Sequence, residues 1–249
     1  MLLYKYFPPT TNSFKSLISA GIWCDNYTNM NDPFECLAIV QRVYDKNKIE
    51  DFRTKARESD NPQWKLMAEL GDEAIVQFMN TFRQEFIKNI YFFGSLSETY
   101  DNILLWSHYG ASHTGFVLAI NVDETNNHIH QVRYQDNLPD FENDWYINAK
   151  DEDIENSPSV AYLLKDFAIK STNWAYEKEW RVARKDRGYF RFKPEDVKAL
   201  YYGLNCHVDI EKVVVMLLSY CQDDIPIYKM ALSTDPLGMI AKDYEFPEK

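Results

Sequence analysis

The sequence has no long hydrophobic run, no paired-cysteine motif and no excess of positive charge, and each absence excludes a class of protein. No run of about 18 apolar residues occurs, so we expect no membrane-spanning segment. The four cysteines form no C-x-x-C pair, which argues against a zinc knuckle, and we expect no metal. Residues 1–9 are too short and too polar for the apolar part of a signal peptide, so we expect a cytoplasmic protein with reduced thiols.

The charge balance restricts the partners. The chain of 249 residues carries a formal net charge of −11. Because an acidic chain repels polyanions on average, we expect no broad, non-specific nucleic-acid binding. Hydrophobic residues make up 45% of the chain and aromatic residues 15%, which indicates a globular protein with a thick core or an aromatic pocket wall.

The order of elements predicts one α+β domain over residues 1–249, with a mixed or antiparallel sheet as its core. Apolar residues recur at spacings of three and four over residues 46–90, which predicts a helical insertion divided at Asn61-Pro62 and at Gly71. Residues 131–157 are acidic and polar and predict a variable excursion. Strands are predicted at 2–7, 22–24, 91–97, 115–121, 176–184, 197–203 and 212–218, and helices at 12–20 (capped by Gly21), 104–109 and 159–170.

The turn Asn31-Asp32-Pro33-Phe34-Glu35 has two interpretations. Asp32 fits a helix N-cap, with Pro33 at the first helical position and Glu35 at the third. Alternatively, the turn places a polar group over a pocket. We expect chiefly a helix start.

Two further segments concentrate polar and aromatic side chains. Ser95 and Ser97 alternate along a predicted strand and therefore share a face, where they either hold a ligand or cap the next turn. The segment 105–115 contains Trp106, His108 and Tyr109, which form either an aromatic core turn or the wall of a pocket. Its two histidines are five residues apart and do not share a helix face, which argues against a metal pair.

The predicted strand 176–184 carries two carboxylates and a guanidinium. Alternation places Glu177, Glu179 and Arg181 on one face. This face is either solvated and covered by salt bridges, or it lines a cleft. In a cleft, Arg181 holds one carboxylate ionised while the other accepts a proton.

With these segments the sequence resembles the domain-of-unknown-function family DUF2971. The motifs that carry the resemblance are Tyr4-Lys5-Tyr6, Asn31 to Glu35, Ser95 to Glu98, Leu105 to Tyr109 with His113 and Gly115, and Trp174 to Arg181. They span most of the chain. The family's name implies no activity.

A second resemblance concerns function. The chain carries a polar residue on the first strand, then a Ser-x-Ser strand and then a Glu-x-Glu segment. This order is similar to the layout of ADP-ribosyltransferases, which cleave the nicotinamide–ribose bond of NAD. The resemblance implies Glu179 as the catalytic glutamate, which stabilises an oxocarbenium-like transition state, and Glu177 as its partner on the acceptor side. NAD is then the substrate. The residues implied in binding this nucleotide are Lys5, Tyr6, Ser95, Ser97, Trp106, His108, Tyr109 and Arg181.

Two positions depart from that layout, and three functions stay open. Lys5 stands where these enzymes usually have Arg or His, and Arg181 is not part of the usual pattern. The first function is an ADP-ribosyltransferase or NAD glycohydrolase, such as a bacterial toxin or defence effector. The second is a non-catalytic ligand- or partner-binding module. The third, a hydrolase or nuclease, is disfavoured by the acidic charge and by the lack of a metal-ligand set.

Overall fold

The chain folds into helices and strands, most of them short. The structure is a computed structural model and describes residues 1–34, 46–126, 128–137, 167–219 and 225–244. The helices are α1 (Thr11–Ile18), α2 (Lys46–Glu58), α3 (Pro62–Ala68), α4 (Asp72–Ile90), α5 (Ile103–His108) and α6 (Val208–Ser219). The first strands are β1 (Leu2–Phe7), β2 (Gly21–Cys24), β3 (Phe92–Ser97), β4 (Phe116–Asn121), β5 (Ile129–Gln131) and β6 (Arg133–Tyr134). The others are β7 (Ile169–Lys170), β8 (Glu179–Arg184), β9 (Gly188–Arg191), β10 (Val197–Tyr202), β11 (Ile227–Thr234) and β12 (Leu237–Asp243).

An eight-stranded sheet is the largest element of structure, with the order β12-β11-β10-β4-β1-β3-β8-β5. Its neighbouring strands are antiparallel except β10 and β11, which are parallel. Two smaller sheets pair β2 with β9 and β6 with β7. The predicted α+β class with a mixed sheet is therefore confirmed.

The chain divides into two compact units. The first contains Met1–Asp25, Phe92–Val132 and Asn173–Lys249, and it includes the large sheet. The second contains Asn26–Tyr91 and Arg133–Thr172, and it includes helices α2, α3 and α4. The single domain expected from the sequence stays a prediction.

The helical insertion over residues 46–90 is confirmed, together with its two breaks. Asn61 caps α3, because its side-chain oxygen accepts a hydrogen bond from the Gln63 amide at 2.9 Å and Pro62 occupies the first turn. Gly71 precedes α4 as its N-cap. The helices enclose a separate apolar cluster that includes Phe52 and Met79.

Both faces of the large sheet are covered by apolar side chains. Leu3 and Phe7 of β1 pack into the larger cluster, together with Leu17 of α1. Tyr6, which alternates with them, packs on the other side with Trp106 of α5. This alternation assigns side chains of β1 to opposite faces.

The structure corrects the ends of several predicted elements. Gly21 does not cap the first helix: Ala20 takes the left-handed position with φ 44°, and Gly21 begins β2. A Cβ at Gly21 would lie 2.8 Å from the Tyr189 Cβ, so the close approach of β2 and β9 requires the glycine. The strand predicted at 212–218 is wrong, because these residues belong to α6; a short apolar run does not by itself distinguish strand from helix.

Two other boundaries lie near the site. The strand predicted at 176–184 begins only at Glu179, because Thr172–Glu177 form a 3-10 helix. The helix predicted at 159–170 is wrong at its end, where residues 169 and 170 form β7, and most of its length lies outside the described residues. The excursion predicted at 131–157 also lies mostly outside them.

The turn at Asp32 begins in the way expected of a helix start. The Asp32 Oδ1 accepts a hydrogen bond from the Phe34 amide at 2.9 Å, and its side chain is buried. Glu35 and the residues that would continue the helix lie outside the described part of the chain.

Replacing Gly115 by alanine should destabilise the protein by about 3 kcal/mol, because the core cannot accept the added atom. A Cβ at Gly115 would lie 2.1 Å from the Phe7 carbonyl oxygen, and that oxygen belongs to the central strand β1. Gly238→Ala is the control, since nothing lies within 4 Å of its added Cβ. Urea denaturation measures both variants. Equal unfolding midpoints would contradict the prediction.

Candidate functional site

The register of the large sheet gathers four of the predicted site residues on one face. Ser97 lies opposite Glu179, and Ser95 lies opposite Arg181, in the antiparallel pair β3–β8. Side chains opposite each other in such a pair point to the same side. On the next strand, β5, His130 lies opposite Arg181 and extends the row.

Arg181 and Glu179 form a buried ion pair. The Arg181 Nε donates to Glu179 Oε1 at 3.1 Å, and a terminal guanidinium nitrogen lies 3.3 Å from Oε2. Glu179 is 3% exposed and Arg181 is 1% exposed. The solvated face considered from the sequence is therefore wrong. In addition, β8 is not an edge strand, since it lies between β3 and β5.

Glu177 reaches the same region from the segment before β8. It ends the 3-10 helix Thr172–Glu177, and Lys178 follows with φ 44°. The Ser97 hydroxyl donates to the Glu177 carbonyl oxygen at 2.6 Å, and the Tyr109 hydroxyl donates to its carboxylate at 2.5 Å. Glu177 is 4% exposed. The two carboxylates are thus held by different partners, although strand alternation does not relate them.

The sheet opens between β1 and β3. The two strands pair at Tyr4 and Ser97 alone, whereas β1 pairs with β4 along its whole length. The Lys5 ammonium donates to the Ser95 carbonyl at 2.9 Å across this opening. Burial lowers the pKa of Lys5 from its ordinary value, while the electrostatic influence of Cys24 and Glu179 acts in the opposite direction.

A cleft of about 640 Å³ adjoins this opening. Four of the residues predicted to bind a nucleotide line it, namely Lys5, Tyr6, His108 and Tyr109. Tyr109 also contacts Glu177, so it connects the cleft to the carboxylates. Glu177 and Glu179 are not among the lining residues that the structure describes.

Tyr6 and Trp106 are held by the core. The Trp106 ring is fully buried, and its indole nitrogen donates to the Tyr100 carbonyl at 2.6 Å. Tyr6 packs edge-on against Trp106 with ring centroids 5.3 Å apart, and its hydroxyl donates to the Thr99 carbonyl. In this conformation Trp106 offers no exposed ring face to a ligand.

Sequence reasoning missed two residues of the site. Asn102 caps α5, and its side-chain amide donates to the Tyr176 carbonyl at 3.1 Å, which ties α5 to the segment that carries Glu177. An Asn before a helical pattern is a cap signal that could have indicated it. His130 enters only through strand register, and no local pattern marks it.

The described residues contain no group of three or more His, Cys, Asp or Glu that could hold a metal ion. Within the same residues, no helix has the length and the apolar character needed to cross a bilayer.

A comparison with protein families finds that residues 105–182 match the model of DUF2971, a protein of unknown function. Comparisons with curated proteins and with solved structures each give no match. The matched stretch is less than half of the chain and supports the DUF2971 resemblance there. It contains both carboxylates, Glu177 and Glu179, together with the Tyr109 and Arg181 side chains that contact them.

Proposed function

We propose that the protein cleaves the nicotinamide–ribose bond of NAD and transfers ADP-ribose to water or to an acceptor. The observation that carries the proposal is the pairing of Ser97 with Glu179 beside the open part of the sheet, where Arg181 donates to the Glu179 carboxylate at 3.1 Å. A cleft of about 640 Å³ adjoins it, within the range of roughly 300–1,000 Å³ usual for ligand pockets.

The chemistry assigns different roles to the two glutamates. The bond between the nicotinamide nitrogen and ribose C1′ breaks, and the electron pair leaves with nicotinamide. The negative charge of Glu179 stabilises the positive charge that grows on the ribose. An acceptor oxygen then bonds to C1′, and Glu177 takes the acceptor's proton.

The substrate reaches the carboxylates from the cleft by way of Tyr109. Because Glu177 is 4% exposed and accepts a hydrogen bond from the Tyr109 hydroxyl, the acceptor takes the place of that hydroxyl. His108 lies beside Tyr109 in the cleft wall, and in this proposal it contacts the nicotinamide riboside. Depletion of cellular NAD by this reaction would suit a toxin or a defence effector.

A second candidate is a binding module without catalysis. The burial of both carboxylates favours it, since a hydrogen-bonded ion pair that is shielded from water also stabilises the folded strand β8 without any reaction.

The experiment is to incubate the full-length protein with NAD and to measure nicotinamide release, with and without cell extract as a source of acceptors. Release of nicotinamide together with free or acceptor-bound ADP-ribose supports the enzyme. NAD binding without release in either condition supports the binding module and contradicts the enzyme.

A further inference from the structure

One end of the cleft is formed by α1, and the proposed catalytic groups do not use it. The residues of α1 that line the cleft are Asn12, Ser13, Lys15 and Ser16, which recur at helical spacings of three and four. Ser13 and Ser16 are 5% and 4% exposed. Asn12 and Lys15 on the same face are exposed, whereas Leu17 of α1 packs into the core, so this polar face borders the cleft.

Ser16 contributes a hydroxyl to this face. Ser13 contacts the Thr10 hydroxyl at 3.1 Å, and Ser16 lines the cleft, where its hydroxyl oxygen is not one of the buried, unpartnered side-chain atoms among the described residues. The Ser16 hydroxyl is therefore reached from the cleft, where a phosphate oxygen can accept its hydrogen bond.

The same cleft is lined by three cationic side chains, Lys5, Lys15 and Arg187, although the chain has a formal net charge of −11. Among the lining residues that the structure describes, the carboxylate is Asp25, which pairs with Arg187 at 2.9 Å. Lys15 is exposed. This combination attracts an anion.

An aromatic platform adjoins the cations. The Trp23 ring packs edge-on against Tyr189 with centroids 5.0 Å apart, and the Arg187 guanidinium lies 5.5 Å from the indole centroid. The Trp23 Nε1 donates to Asp25 at 3.3 Å. These contacts fix the ring, yet Trp23 is 41% exposed. A fixed and exposed indole is a surface on which a nucleobase stacks.

We propose that this end of the cleft binds a nucleoside diphosphate, with its phosphates at Lys15 and Ser16 and its base against Trp23. The inference deepens the proposed function and rests on it for the identity of the dinucleotide, because the ADP half of NAD is such a ligand. The cations, the Ser16 hydroxyl and the aromatic ring supply the contacts that each part of the ligand requires.

The test measures the binding of ADP and of adenosine to the full-length protein by calorimetry. Lys15→Glu should weaken ADP binding about tenfold or more, because it replaces an attraction to the phosphates by a repulsion. Lys212→Glu, the same change at an exposed position of α6, should leave it unchanged. Adenosine, which lacks phosphates, should bind equally to the wild type and to Lys15→Glu.

The base is tested separately. Trp23→Ala should weaken the binding of ADP and of adenosine by about tenfold, and Trp23→Phe should retain most of it, because phenylalanine still offers a ring for stacking.

The inference is overturned if ADP binds Lys15→Glu and the wild type equally, or if the wild type does not bind ADP at millimolar concentration. Binding of ADP that depends on Lys15, without any cleavage of NAD, would support this site and contradict the proposed enzyme. Cleavage of NAD that is unaffected by Lys15→Glu would support the proposed enzyme and contradict this site.

Discussion

Replacing Glu179 by glutamine should lower the rate of NAD cleavage by about 10²–10³, the usual effect of losing one electrostatic partner of a transition state. Glutamine keeps the shape of the side chain but removes the negative charge that the oxocarbenium-like ribose needs. Nicotinamide release at saturating NAD measures the rate. Because Arg181 then loses its counter-charge, circular dichroism of each preparation must establish the folded fraction.

Two variants make this result specific. Glu98→Gln is the matched control. Glu98 is exposed, follows the Ser-Leu-Ser strand and accepts a hydrogen bond from the Trp180 indole at 2.8 Å. Removing the charge of Glu98 should not change the rate of NAD cleavage. Glu179→Asp keeps the charge, so it should retain more activity than Glu179→Gln. Equal turnover by wild type and Glu179→Gln would remove Glu179 from the mechanism.

The variant Glu177→Gln distinguishes the role of Glu177 from that of Glu179. Since its proposed task is to accept the proton of the acceptor, it should reduce transfer to acceptors more than simple hydrolysis of NAD. Equal losses of the two activities would contradict this division of roles.

Local periodicity was sufficient to predict much of the fold. The strand β1, the helices between residues 46 and 90 and their breaks at Asn61 and Gly71 follow from alternation, helical spacing and capping, which are properties of adjacent residues. The error at 212–218 has the same origin, because the six-residue apolar run 213–218 satisfies a buried strand and a helix equally well.

The site depends on pairing between distant strands, which sequence patterns do not encode. Alternation correctly places Glu179 and Arg181 on one face of β8. Their burial could not be predicted, because the charged segment is typical of a solvated edge until β3 and β5 are known to flank it. Likewise, Lys5 approaches Ser95 only because β1 separates from β3 after a single residue pair.

The second large effect concerns the stability of this ion pair. Arg181→Met should destabilise the protein by about 3–5 kcal/mol, since it leaves the buried carboxylate of Glu179 without its arginine. The same reasoning applies to Glu179→Gln, which removes the negative charge that faces the buried Arg181 guanidinium. Urea denaturation of both variants, in one buffer, measures the change in the free energy of unfolding.

The double variant Glu179→Gln with Arg181→Met shows whether the cost comes from breaking the contact between these two side chains. Without either charge, the site holds a neutral amide and an apolar side chain, so the double variant should lose clearly less stability than the sum of the two single losses. The difference is the coupling energy of the pair, which we expect to be about 2–3 kcal/mol. Strictly additive losses of stability, each below about 1 kcal/mol, would mean that water screens the pair as it screens a surface salt bridge. The buried site described for β8 would then be wrong.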